Sequence, residues 1–250
     1  MKKIISTTLL SIFGFSIALA AATPRFLTTA PEVILAMIPP PPPDDSPAGM
    51  ADIETLLQVQ KDRTPAQVAR ARQVDSHSFT TRGEHLFGPA FTEENLPRTF
   101  AILLQTTVER RVVVVASKEQ WKRVRPHNRG LGVKPCVKRP DDASYPSGHS
   151  ASSALWAALL SEALPEYKTI FTEFERETMW CRVLAGVHYP SDTHAGRLIG
   201  HIIAGEMLKN PITQNAIKEM RAELLEFLKK HPEALAHAKT FAKTHALSTY

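Results

Sequence analysis

Three short clusters carry the residue types that could do chemistry, and they follow one another in a fixed order. Lys118 and Arg125 are separated by six residues, with Pro126 directly after. Pro146, Ser147, Gly148 and His149 run together. Arg182 is followed by His188 and then by Asp192. Together they supply three cations, a small-residue turn, two histidines and one carboxylate. That inventory can hold a phosphate group and cut one of its ester bonds. An arginine grips two oxygens with its planar fork, and a lysine acts as a compact point charge. An imidazole can attack, or give and take a proton, and a neighbouring carboxylate fixes its tautomer.

Each cluster taken alone also has a plainer reading. Lys118 and Arg125 are seven residues apart, about two helical turns at ~3.6 residues each. A helix through both would turn them toward one anion, and Pro126 would end it. With Lys122, Arg123 and Arg129 nearby, the same pair reads as a solvated basic face. Gly148 and His149 stand at the start of a strongly helical run, where free N–H groups and a partial positive charge suit an anion. There Gly148 lets the backbone come close, Ser147 can donate its hydroxyl, and His149 can protonate a leaving oxygen. An ordinary helix cap is the alternative. His188 lies in a connection after Gly186, and Asp192 lies in the first turn of the next helix. They form either a nucleophile with its orienting acid or a structural hydrogen bond. The combination favours chemistry, because each cluster answers a different requirement of one reaction.

The pattern Lys-x6-Arg-Pro, Pro-Ser-Gly-His and Arg-x5-His-x3-Asp resembles the signature of the type 2 phosphatidic acid phosphatase superfamily. That group includes bacterial class A non-specific acid phosphatases, membrane lipid phosphatases and vanadium-dependent haloperoxidases. The resemblance is tightest from Lys118 to Asp192. Phe87-Gly88-Pro89, Leu96-Pro97, Ser144-Tyr145 and the proline run add looser similarity to the secreted acid phosphatases. The resemblance implies that Lys118, Arg125 and Arg182 hold the phosphate oxygens, helped by Ser147 and Gly148. It implies that His188 attacks phosphorus, that Asp192 orients His188, and that His149 protonates the leaving alcohol and then activates water. No metal and no other cofactor is implied, since the cations supply the charge stabilisation. The family has Ser where this chain has Cys181. A thiol is the weaker donor, so one polar contact of the family is in question here.

The elements that must position these groups read as helices. Of 250 residues, 43% are hydrophobic, enough for one large domain with a real core. Lys2 and Lys3, the apolar run Ile4–Ala20 and Ala18-Leu19-Ala20 read as a signal peptide over residues 1–20. Export to the periplasm follows from it. Residues 21–50, with five consecutive prolines at 39–43, are expected to be an extended surface arm. Residues 51–250 are expected to form the phosphatase domain. Thr64-Pro65-Ala66-Gln67 and Thr92-Glu93-Glu94-Asn95 look like helix starts. Helices are predicted over about 97–124, 149–164 and 166–185, over a segment capped by Ser191 and running to 208, and from Pro211 onward. The last places Ile217, Met220, Leu224 and Leu228 on one face. Val112–Val115 is read as a buried helix turn. The fold class is therefore an all-α helical bundle.

The net charge of +5 is mild. It suits a small anionic substrate and excludes the basic blocks of a nucleic-acid binder. After the leader, the most apolar stretch is broken by Glu109, Arg110 and Arg111, so no stable membrane span is expected in the mature form. Cys136 and Cys181 could pair in an exported protein or remain separate thiols. His127 is expected at the surface, and His194 and His201 in ordinary polar positions. The apolar faces of the terminal helices leave room for a homodimer. The predicted activity is hydrolysis of phosphate monoesters over a broad range, with a lipid phosphate or diphosphate as the second reading. A vanadate-dependent haloperoxidase is a third.

Overall fold

The computed structural model describes residues 25–76 and 78–246, so the leader expected over residues 1–20 lies outside the described residues. The described residues are helical and contain no strand. Prolines at the first helical position start α1 (Pro31–Leu35), α2 (Pro47–Asp62), α3 (Pro65–Val74) and, after α4 (Phe79–Phe87), the long α5 (Pro97–Trp121). Proline suits that position because its missing N–H would have no partner in the helix. Then come α6 (Gly148–Ala163), α7 (Lys168–Leu184), α8 (Pro190–Leu208), α9 (Pro211–Lys230) and α10 (Pro232–Ala246). No helix of the described residues is long and apolar enough to cross a membrane.

The central element is α6. It is apolar on nearly every side, so it must be enclosed. Leu155, Trp156, Leu159 and Leu160 are buried among α5, α7, α8 and α9. Each such side chain contributes about 1.5–3 kcal/mol on burial. The closest approach is to α8, where Gly196 and Gly200 face α6. A Cβ at Gly200 would lie 2.5 Å from the Ala151 carbonyl oxygen and 2.7 Å from the Ala154 Cβ. That approach brings the first turn of α8 beside the first turn of α6, and the Ser147 N–H donates to the Asp192 carbonyl at 3.0 Å.

Several expected boundaries move. The helix predicted over 97–124 stops at Trp121, where Lys122 adopts a left-handed conformation (φ 44°). Arg125 is therefore on extended backbone after α5, and no common helix face turns it toward Lys118. The Val112–Val115 run is helical but only half enclosed, with Val113 and Val114 buried and Val112 and Val115 exposed. Thr92 caps only a turn, bonding the Asn95 N–H at 3.3 Å, and the helix waits for Pro97. Ser191 sits inside α8, whose cap residue is Tyr189. The last predicted helix is two, divided at His231 before Pro232. Ile217, Met220, Leu224 and Leu228 are buried together as expected.

The proline-rich arm is more than a surface strap. Phe26, Leu27, Ile34 and Ile38 are buried in the main core. The buried Glu109 carboxylate accepts backbone N–H groups of Arg25 (2.9 Å), Phe26 (3.1 Å) and Leu27 (2.6 Å). The arm leads into α2, which carries Asp52 to the back of the motif residues.

Candidate active site

Five of the motif side chains and one motif glycine line a single cavity of about 390 Å³. They are Lys118 from the end of α5, Arg125 after it, Gly148 and His149 from the start of α6, Arg182 from the end of α7, and His188 before α8. The other two expected residues stand behind this wall. Asp192 is fully buried beneath His188. Ser147 is also fully buried; its hydroxyl oxygen caps α6, accepting from the Ser150 N–H at 3.3 Å and the Ser150 hydroxyl at 3.0 Å.

His188 is held at both nitrogens. Its Nδ1 is 3.2 Å from the Asp192 carboxylate, and its Nε2 is 3.2 Å from an Arg125 N–H. Arginine only donates, so Nε2 must accept and Nδ1 must carry the proton. Burial, then the charges of Arg125, Lys118 and Arg182, push the His188 pKa well below that of an ordinary imidazole. The ring is thus neutral, with its Nε2 lone pair on the side of the cations. Burial also lowers Lys118 to about 8, with Arg125 adding to the effect and Asp142 opposing it.

The network behind His188 was not legible as such. Asp192 also accepts from Arg123 at 2.7 Å, from the Tyr189 N–H at 3.0 Å and from the Ser144 hydroxyl. Arg123, which the basic run 122–129 suggested was solvated, is buried. It donates to Asp52 at 2.9 Å and lies 4.0 Å from the Tyr189 ring centroid. Its position two residues before Arg125 was the only sequence signal.

Two further carboxylates stand at the cations. Asp142 bridges Lys118 (3.1 Å) and Arg125 (2.6 Å), and Asp75 pairs with Arg182. Burial alone would raise the Asp142 carboxyl, but Lys118 and then Arg125 outweigh it and hold it below the usual range. The Asp75 carbonyl lies 3.1 Å from His149 Nε2. Asp75 belongs to the connection between α3 and α4, far from every motif in sequence.

The remaining histidines and cysteines are placed elsewhere. His127 is half-buried and does not line the cavity. His194 is exposed, and His201 lies 3.0 Å from Glu175. Cys136 and Cys181 are both free thiols, with Cys181 buried beside the motif arginine.

Residues 99–215 match the model of the PAP2 superfamily, the type 2 phosphatidic acid phosphatase family whose signature the motifs resemble. The matched stretch is just under half of the chain, and over it the chain is similar to the PAP2 superfamily. Two of its curated relatives are each called a non-specific acid phosphatase. The one from Salmonella typhi is 39% identical over 33% of this chain and 33% of its own length. The one from Providencia stuartii is 26% identical over 92% of this chain and all of its own length. A bacterial vanadium-dependent iodoperoxidase has a similar fold, with a TM-score of 0.55 and 18% identity over 69% of this chain. The chain spans about half of that peroxidase, 52% of its length. The matched region holds Lys118 through Asp192, while Asp52 in α2 and Asp75 in the connection after α3 lie before it.

Proposed function

We propose that the protein is an exported acid phosphatase that hydrolyses phosphate monoesters through a phosphohistidine intermediate. The observation that carries the reading is His188, neutral and oriented by Asp192, with Nε2 turned toward Lys118, Arg125 and Arg182. Lys118, Arg125 and Arg182 receive the non-bridging phosphate oxygens, displacing the Asp142 and Asp75 carboxylates that pair with them. The His188 Nε2 lone pair then forms a bond to phosphorus while the ester P–O bond breaks. The leaving oxygen takes a proton from His149, which exchanges its Asp75 carbonyl partner for that oxygen. In the second step His149 removes a proton from water, the water oxygen bonds to phosphorus, and the P–N bond breaks. The three cations stabilise the charge on the equatorial oxygens throughout.

The depressed His188 pKa also accounts for the acid range. An ordinary imidazole is lost as a nucleophile below pH ~6.5. His188 stays unprotonated there, while the leaving-group step calls for a protonated His149. The acid phosphatase name of the relatives supports the same substrate class.

The test is His188→Ala with p-nitrophenyl phosphate. Turnover should fall by about a thousandfold or more. Rapid acid-free quenching of the wild type on a radiolabelled ester should trap an alkali-stable phosphoprotein that the variant lacks. Substantial activity in the variant would overturn the nucleophile assignment. N-terminal sequencing of protein released from the periplasm tests export.

A further inference from the structure

A second chamber of about 530 Å³ opens between α5 and α6 and shares Lys118, Asp142 and Gly148 with the phosphate cavity. Arg110 and Arg111 form its far wall, with Val114 between them and Lys118. Arg110 is the unusual member. It is only 7% exposed, its Nε has no hydrogen-bond partner, and one terminal nitrogen reaches the Gly148 carbonyl at 3.3 Å. No carboxylate pairs with it among the described residues.

Three of the other buried arginines are matched by carboxylates, whereas Arg82, like Arg110, has no ion pair among the described residues. Arg123 has Asp52 and Asp192, Arg125 has Asp142, and Arg182 has Asp75. Arg82 lies over the rings of Trp156 and Phe174 and donates to Thr178. The acid next to Arg110 in sequence, Glu109, is engaged on the opposite side by the N-terminal arm. A buried guanidinium without a counter-charge is costly unless something anionic completes it. Burial first, and then Arg111, lower the Arg110 pKa to about 10, so it is still charged at neutral and acid pH.

We propose that this chamber is the leaving-group subsite and that Arg110, with Arg111, receives a second anionic group on the substrate. The inference rests on the phosphatase reading above and names its preferred substrate class. That class is phosphate monoesters whose alcohol carries a second phosphate or a carboxylate several bonds from the ester oxygen. The spacing sets the distance. Arg110 and Lys118 are eight residues apart on α5, about 12 Å along the axis. Two anions joined through a single bridging oxygen are too close together to occupy both ends. Val114 lies between, so a short carbon skeleton fits there. The reaction itself is unchanged: the departing alcohol leaves with the second anion still attached.

The experiment compares kcat/KM for fructose 1,6-bisphosphate, 3-phosphoglycerate and phenyl phosphate in the wild type and in Arg110→Leu. The bisphosphate and the carboxylate arms distinguish which second anion is taken. The wild type should favour at least one of them over phenyl phosphate. The variant should lose about tenfold or more on the favoured substrate, as expected for a charge-assisted contact, and stay within about twofold on phenyl phosphate. Arg110→Gln serves as the second variant should the leucine form fail to fold. Equal losses on all three substrates, or unchanged selectivity, would overturn the subsite. A separate readout keeps the two proposals apart. Calorimetry with propane-1,3-bisphosphonate should show binding to the wild type that weakens about tenfold in the Arg110 variants. Absent hydrolysis with that binding intact sinks only the phosphatase reading; binding indifferent to Arg110 sinks the subsite.

Discussion

Replacing Asp142 with Asn should make the protein bind inorganic phosphate more tightly. Asp142 lies 3.1 Å from Lys118 and 2.6 Å from Arg125, two of the cations proposed to hold the phosphate. It therefore competes with the ligand for the same N–H groups. Its side chain is 54% exposed, so solvent screens both pairs and neither approaches the strength of a buried one. Partly exposed pairs contribute about 0.2–1 kcal/mol each. Two together give about 1 kcal/mol, a gain of roughly fivefold in affinity at 1.4 kcal/mol per factor of ten. The Arg125 Nε bond goes to the Asp142 backbone carbonyl at 2.7 Å, so the loop keeps that anchor in the variant. The gain should depend on pH. Asp142 holds the Lys118 pKa up, and without it that pKa falls further below about 8. A lysine is charged below its pKa, so the variant shows its full gain at pH 5–6 and loses it as the pH rises toward 8. The assay is the inhibition constant of phosphate against p-nitrophenyl phosphate hydrolysis at several pH values. Unchanged or weaker phosphate binding at pH 5–6 would refute the argument and would make Asp142 a support of the cations, not a competitor.

Three further predictions follow from the same geometry. In the wild type, the Lys118 contribution to anion binding should fade as pH rises through about 8, because the charged form is lost; Lys118→Arg should extend the alkaline limb of the kcat/KM profile, and an unshifted limb would contradict this. Asp192→Asn should destabilise the fold by about 3 kcal/mol, since it removes one of the two carboxylates opposing the buried Arg123; a loss below about 1 kcal/mol in urea unfolding would show that Asp52 suffices. Burial, and next Glu177, push the Cys181 thiol up to about 12, so a native thiol titration at pH 8 should detect Cys136 alone, with Cys181 appearing only in denaturant; two thiols reacting at once would contradict its burial.

Much of the cavity wall was legible in the chain because its determinants are local. His188 and Asp192 are four residues apart, and the turn before α8 suffices to bring them together. Gly148 and His149 follow a serine cap, so their place at a helix start follows from short-range chemistry. The helical fold class came equally from periodicity and proline placement. Lys118 and Arg125 come together by a different route from the expected one. They do share a cavity, but a left-handed residue at Lys122 and a return of the chain bring them there, not a shared helix face.

What only the tertiary structure decided is which groups oppose, bury and neutralise those residues. Asp75 meets Arg182 across 107 positions, and Asp52 meets Arg123 across 71. Arg110 has no carboxylate partner among the described residues, while its neighbour Glu109 turns to the arm. None of these has a periodic or short-range signature, since each depends on how whole helices pack. The sequence by itself thus determined the candidate groups and the helical class of the elements around them. Packing, through the close approach of α8 to α6 at Gly196 and Gly200, decided their charge states and the competing carboxylates around them. Local patterns encode conformation, whereas electrostatics depends on distance and burial, which exist only once the chain has folded.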